Sequence, residues 1–213
     1  MKKRKINPKK LILFIIVVII VIGLIVGSIL ILKASLKGKE EPNNEEKEII
    51  DNILDYTLDE DETEYYKNLF NQLKEVLNQD EINEEEYAKL VAQLFVADFF
   101  NLDNKINKND IGGTQFVYKD FRSDFEKLAR DSIYNHIENN IYGDRKQELP
   151  VVHSVAIENI SQKKYTYNDK VDEKAYYIDV LIKYEKDLGY QEEASLILIH
   201  NEEKLEIAEM NEK

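Results

Sequence analysis

Hydrophobic and polar positions follow three different rhythms along the chain. Residues 11–32 read LILFIIVVIIVIGLIVGSILIL, 22 residues without a charge. As a helix this run would extend about 33 Å, against about 30 Å for a bilayer's hydrocarbon core, and it predicts a transmembrane helix. A cleaved signal peptide would carry a shorter apolar run of roughly 7–15 residues ending at small residues. Here Lys33-Ala34-Ser35-Leu36-Lys37 makes a poor cleavage site, and Ser28 alone cannot give a buried soluble helix its polar face. Residues 33–47, KASLKGKEEPNNEEK, have no apolar period and predict a flexible linker.

From Glu48 onward the period is that of helices. Ile49, Ile50, Ile53, Leu54 and Leu58 predict a short amphipathic helix, broken by the acids of residues 59–64. Tyr66, Leu69, Phe70, Leu73, Val76 and Leu77 form the stripe of a second, whose positive N-terminal end the preceding acids suit. That role is preferred for the cluster over cation binding. A third helix starts at Asn83, with Glu86 three residues on as a capping box and Ile82 against Tyr87 as a staple. Its stripe, Tyr87, Leu90, Val91, Leu94 and Phe95, runs on to Asp98. Asp120 is expected to cap the longest soluble helix, reaching about Tyr142 before Gly143, with Phe121, Phe125, Leu128, Ala129, Ile133, Ile137 and Ile141 on its apolar face.

After Pro150 the period becomes two. Val151, His153, Val155 and Ile157 alternate with Val152, Ser154, Ala156 and Glu158, followed by a polar loop with Tyr165 and Tyr167. Tyr176, Ile178, Val180, Ile182 and Tyr184 mark a second strand. Residues 194–200, apolar on both faces, mark a central third, and Leu205 and Ile207 a short fourth. Short connections predict an antiparallel meander, and helices followed by a sheet make the fold class α+β.

Charge adds direction to this picture. Six cations precede the apolar run (Lys2, Lys3, Arg4, Lys5, Lys9, Lys10) and three follow it closely (Lys33, Lys37, Lys39), which favours a cytoplasmic N-terminus. The division is then a basic cytoplasmic tail (1–10), a transmembrane helix (11–32), a linker (33–47) and an extracytoplasmic α+β domain (48–210). Beyond residue 39 the chain holds 20 Lys and Arg against 42 Asp and Glu. An acidic body of this kind argues against nucleic acid as a partner. The chain has no cysteine, so it has neither disulfides nor a lipoprotein anchor, and the domain must be held by its own core. An isoleucine-, lysine- and asparagine-rich composition fits a bacterial source, which makes the expected location a bacterial plasma membrane.

Candidate chemistry is sparse. Gly23 and Gly27, with Ser28 beside them, form a small-residue face suited to self-association in the membrane. Asp98, four residues after Leu94 on an apolar stripe, has two readings. It is a general acid or base with a raised pKa, or a carboxylate that caps backbone N–H groups of the following loop, and the second is preferred. That loop is no calcium-binding EF-hand: counted from Asp103, Lys105, Lys108 and Thr114 occupy positions that need an acid or amide, glycine and glutamate. Gly112-Gly113 fits a tight turn. His136, His153 and His200 lie on different elements at no metal-ligand spacing, and no nucleophile motif occurs. No cofactor, metal or enzymatic activity is expected. An enzyme would need Asp98 and His153, or a pocket tyrosine, on one cavity.

The order of short basic tail, single span, tether, helices and antiparallel sheet resembles the nuclear-transport-factor-two-like cone fold. Its membrane-anchored form occurs in bridge proteins of bacterial type IV secretion and conjugation machines. The resemblance covers topology over about residues 45–210 and carries no functional residues across. It implies helices covering a curved sheet that can leave a concave pocket, to which Asp98, His153, Tyr176 and Tyr184 are assigned. Protein–protein scaffolding with other envelope proteins or a second copy is the expected function. A small-ligand-binding or sensing domain, using a pocket between the long helix and the sheet, is the alternative.

Overall fold

A computed structural model describes residues 47–212. The basic tail, the apolar run with Gly23, Gly27 and Ser28, and nearly all of the linker lie outside the described residues. No helix among the described residues is long and apolar enough to cross a membrane.

The first element is a correction. Where a helix is expected, β1 (Ile49–Ile53) and β2 (Tyr56–Asp59) form a hairpin, turned by Leu54 and Asp55 at φ 49° and 60°. Ile49 and Ile50 are 56% and 50% exposed, so their spacing does not record a buried face. Tyr56 fixes the hairpin instead. Its ring stacks on Phe116, its hydroxyl donates to the Leu205 carbonyl at 2.7 Å, and it lies 2.8 Å from the Tyr87 hydroxyl. These tertiary contacts override a weak helical period.

Helices α1 (Glu64–Leu77) and α2 (Glu84–Phe99) follow as expected. Thr63 caps α1 by accepting from the Tyr66 N–H at 3.1 Å, and Asn83 caps α2 by accepting from the Glu86 N–H at 3.2 Å. The staple residue Ile82 stays exposed. Helix α2 is the centre of the core: from Tyr87 to Phe99 only Lys89 and Gln93 escape full burial.

The expected long helix is short. Helix α3 spans Arg122–Asp131, and its N-cap is Phe121, without a side-chain cap from Asp120. Ser132 ends it by donating to the Leu128 carbonyl at 2.6 Å, and the chain then folds inward to bury Tyr134. The Tyr134 hydroxyl donates to the Phe99 carbonyl at 2.7 Å and accepts from the Gly112 N–H at 3.1 Å. Continuing the helix would forgo this junction between α2 and the Gly112-Gly113 turn. Tyr134→Phe leaves both buried backbone groups without that partner, and we expect a loss of about 1–3 kcal/mol in chemical unfolding.

The sheet is an antiparallel meander in the order β3-β4-β5-β6: Val152–Tyr167, Lys170–Tyr184, Glu193–Asn201 and Lys204–Glu212. Tyr165 and Tyr167, expected in a loop, are strand residues paired with Asp172 and Lys170 across a turn at Asn168-Asp169. This stretch is mostly exposed, so no alternation of burial marks it in the sequence. Inner strand β5 is buried on both sides, as expected. Leu196 and Leu198 join the main core against the helices, while Ile197 and Ile199 meet Tyr118, Tyr167 and Ala175 in a smaller cluster.

Candidate functional site

A polar cavity of about 220 Å³ lies where β2, the C-terminal end of α2 and the turn after Gly112 converge. Lys47, Asp59, Glu62, Asp98, Lys105 and Asp110 bring charge to its lining. Three segments place most of them: the residues between β2 and α1 carry Glu62, α2 delivers Asp98 from its last turn, and the 101–113 loop folds back with Lys105 and Asp110. Gln115 pins the hairpin over the cavity. It accepts from the Thr57 N–H at 2.8 Å and donates to the Thr57 carbonyl at 3.0 Å.

Asp98 and Lys105 form a buried ion pair at 2.5 Å, with Lys105 only 1% exposed. The other Asp98 oxygen accepts from the Gly113 N–H at 2.6 Å. The preferred sequence reading, a carboxylate capping the following loop, is what the structure contains. Burial acts to raise the Asp98 carboxyl pKa, but the Lys105 charge and the hydrogen bonds from Lys105 and Gly113 outweigh it and hold it below the ordinary range. Burial likewise opposes the Lys105 charge, and Asp98 and Glu62 nonetheless raise it above an ordinary lysine. Space here is tight. A Cβ on Gly112 would stand 2.4 Å from both the Asp98 carbonyl oxygen and Oδ1, so only glycine fits.

Glu62 is the group the sequence concealed. It is 8% exposed, and among the described residues no hydrogen bond or ion pair reaches its carboxyl. Burial and then the nearby Asp98 charge raise its pKa to about 8, against the weaker pull of Lys105 and Lys47. Lys47 bridges Asp61 at 3.1 Å and Asp110 at 3.4 Å. In the sequence, Glu62 is one acid among several before a helix. Only the fold shows that Thr63 is the cap and that Glu62 turns inward.

The four residues assigned to a pocket do not share one cavity. Asp98 lines the polar cavity, and His153, Tyr176 and Tyr184 do not. His153, expected on the apolar face, is exposed, because a register shift between Val152 and Ser154 breaks the alternation of β3 there. Tyr184 donates to the Gln191 carbonyl at 2.7 Å. Tyr176 donates to Glu84 at 3.2 Å, beside a bridge not evident in the sequence: His200 Nε2 lies 3.1 Å from Glu84 and Nδ1 2.8 Å from Asp172. These contacts tie the start of α2 to the sheet.

A second depression, apolar and about 420 Å³, runs between α3 and edge strand β6. Phe99, Phe121, Phe125, Leu128, Ile207 and Met210 supply its apolar lining, and Asp124 and Glu209 its charge. Leu128 is 69% exposed. Strand β6 pairs with β5 on one side. On the other, among the described residues, the chain around Val117 meets it at Ile207, where Tyr118 N–H donates to the Ile207 carbonyl at 2.9 Å. No family model, curated protein or solved structure matches the chain.

Proposed function

We propose that the chain is a single-pass, membrane-anchored domain on the outer side of a bacterial plasma membrane, acting in protein–protein assembly within an envelope machine of secretion or conjugation type. The observation that carries this reading is the groove between α3 and β6. It sets an exposed leucine and an apolar floor beside the far end of an edge strand, a combination suited to an extended segment that adds to the strand and drops side chains into the groove. Asp124 and Glu209 on its lining, and the excess of acids in the body, favour a partner segment that carries lysine or arginine. The apolar run at residues 11–32 supports the anchor, its flanking cations support the orientation, and the helices-then-sheet order supports the likeness to anchored cone-fold domains.

Photo-crosslinkers placed at Leu128 or at Met210 of the full chain in intact cells are expected to capture a protein. With the crosslinker at Met210, Leu128→Asp is expected to reduce capture about tenfold, the loss of one good apolar contact, with little effect on folding because the side chain is exposed. Capture of no protein, a second copy included, would overturn the proposal. Protection of the domain from protease added to spheroplasts would overturn the orientation. The concave form of the same groove favours a second reading, a small apolar ligand, which a ligand-dependent rise in melting temperature lost in Leu128→Asp would support.

A further inference from the structure

We infer that Asp59, Asp61 and Glu62 bind a hard divalent cation, calcium in preference to magnesium, at the edge of the polar cavity. One carboxylate oxygen from each lies within 4.8 Å of the others, a spacing at which a single ion can bridge all three. Clustered acids alone would say little, since exposed carboxylates often lie close together. The independent observation is the state of Glu62, which lines the cavity at 8% exposure and takes no hydrogen bond or ion pair among the described residues. Asp59, half-buried on the same cavity, has none for its side chain either. A buried carboxyl without a donor is uncommon, and a cation at the cluster is a partner that would satisfy Glu62 in its ionised form.

The cations already present do not fill this role. Lys105 is committed to Asp98 at 2.5 Å. Lys47 touches Asp61 at 3.1 Å but also holds Asp110 at 3.4 Å, so it can release Asp61 and keep a carboxylate. The donor set is all oxygen, which excludes the soft-metal chemistry that cysteine and histidine support. Three carboxylates from the end of β2 and the turn that follows it leave several positions to water and suit the variable coordination of calcium better than the strict octahedron of magnesium.

The test is calorimetric titration of the full chain in detergent with CaCl2, and separately with MgCl2, after removal of metals with a chelator. A saturable calcium isotherm is expected, with weaker binding of magnesium. Glu62→Gln and, separately, Asp59→Asn should weaken calcium binding at least about tenfold, since even outer partners of metal ligands are worth that much. Asp80→Asn, at an exposed acid outside the cluster, should bind like the wild type. Circular dichroism of each variant identifies any that fails to fold, and the other variant then decides. Absence of saturable binding of either ion, or equal binding by wild type and a folded cluster variant, would overturn the inference. Magnesium binding as tightly as calcium would overturn the preference for calcium.

Discussion

Lys105→Met is expected to lower the free energy of unfolding by about 3–5 kcal/mol, the cost typical of removing one partner from a buried ion pair. Methionine approximates the length of the lysine stem, so little of the loss comes from a cavity. Most comes from Asp98, left charged in a site where, among the described residues, the Gly113 N–H alone still donates to it. Asp98→Asn alone strands the lysine ammonium instead and should cost a similar amount. The double variant Asp98→Asn, Lys105→Met removes both charges and keeps an amide oxygen for Gly113, so it should regain most of the loss. Urea unfolding of the four proteins checks this. If Lys105→Met falls within about 1 kcal/mol of wild type, the pair is solvated and the cavity is open to water.

Only half of this pair was legible in the sequence. Asp98 stands out because an acid interrupts an apolar stripe at helical spacing, and the expected capping role is the one found at Gly113. Lys105 sits in NLDNKINKND, where every neighbour suggests a solvated loop, and nothing local says that this lysine is fully buried. Its burial follows from long-range contacts: the Arg145 guanidinium holds the Lys105 carbonyl at 2.7 Å, and the Asn140 N–H donates to the Ile106 carbonyl at 2.8 Å. Elements defined by their own burial pattern were readable for the same reason. Helices α1 and α2 and the buried halves of the strands alternate as their contacts require. The β1-β2 hairpin, the end of α3 and the outer arm of β3 and β4 depend on distant partners or lie exposed, and their periodicities mislead. The groove lies between a helix and the sheet, but none of Asp98, His153, Tyr176 and Tyr184, the residues expected in such a pocket, lines it. Of the polar cavity's lining the sequence singles out Asp98 and the acids of residues 59–64, without showing that they meet.

The second large effect is a pH dependence set by Glu62. In the unfolded chain this carboxyl ionises at the ordinary value of 4.5, whereas in the folded protein burial, and then the charge of Asp98, keep it protonated up to about 8. A folded-state pKa above the unfolded one means that the contribution to stability is fully present below pH 4.5 and disappears as the pH rises through 8. The wild-type chain, kept in a chelator, should therefore lose roughly 3–5 kcal/mol across that window. Asp59, raised by burial, loses stability in the same direction at lower pH, while the lowered Asp98 loses it only in acid. Glu62→Gln removes the largest of these titrations without changing shape. Its stability should be nearly level between the two pH values, and above pH 8 the variant should be the more stable protein. Urea midpoints measured across the range for both proteins would show the curves diverging with increasing pH. Parallel curves would place the Glu62 carboxylate in contact with solvent or with a cation that the chelator fails to remove.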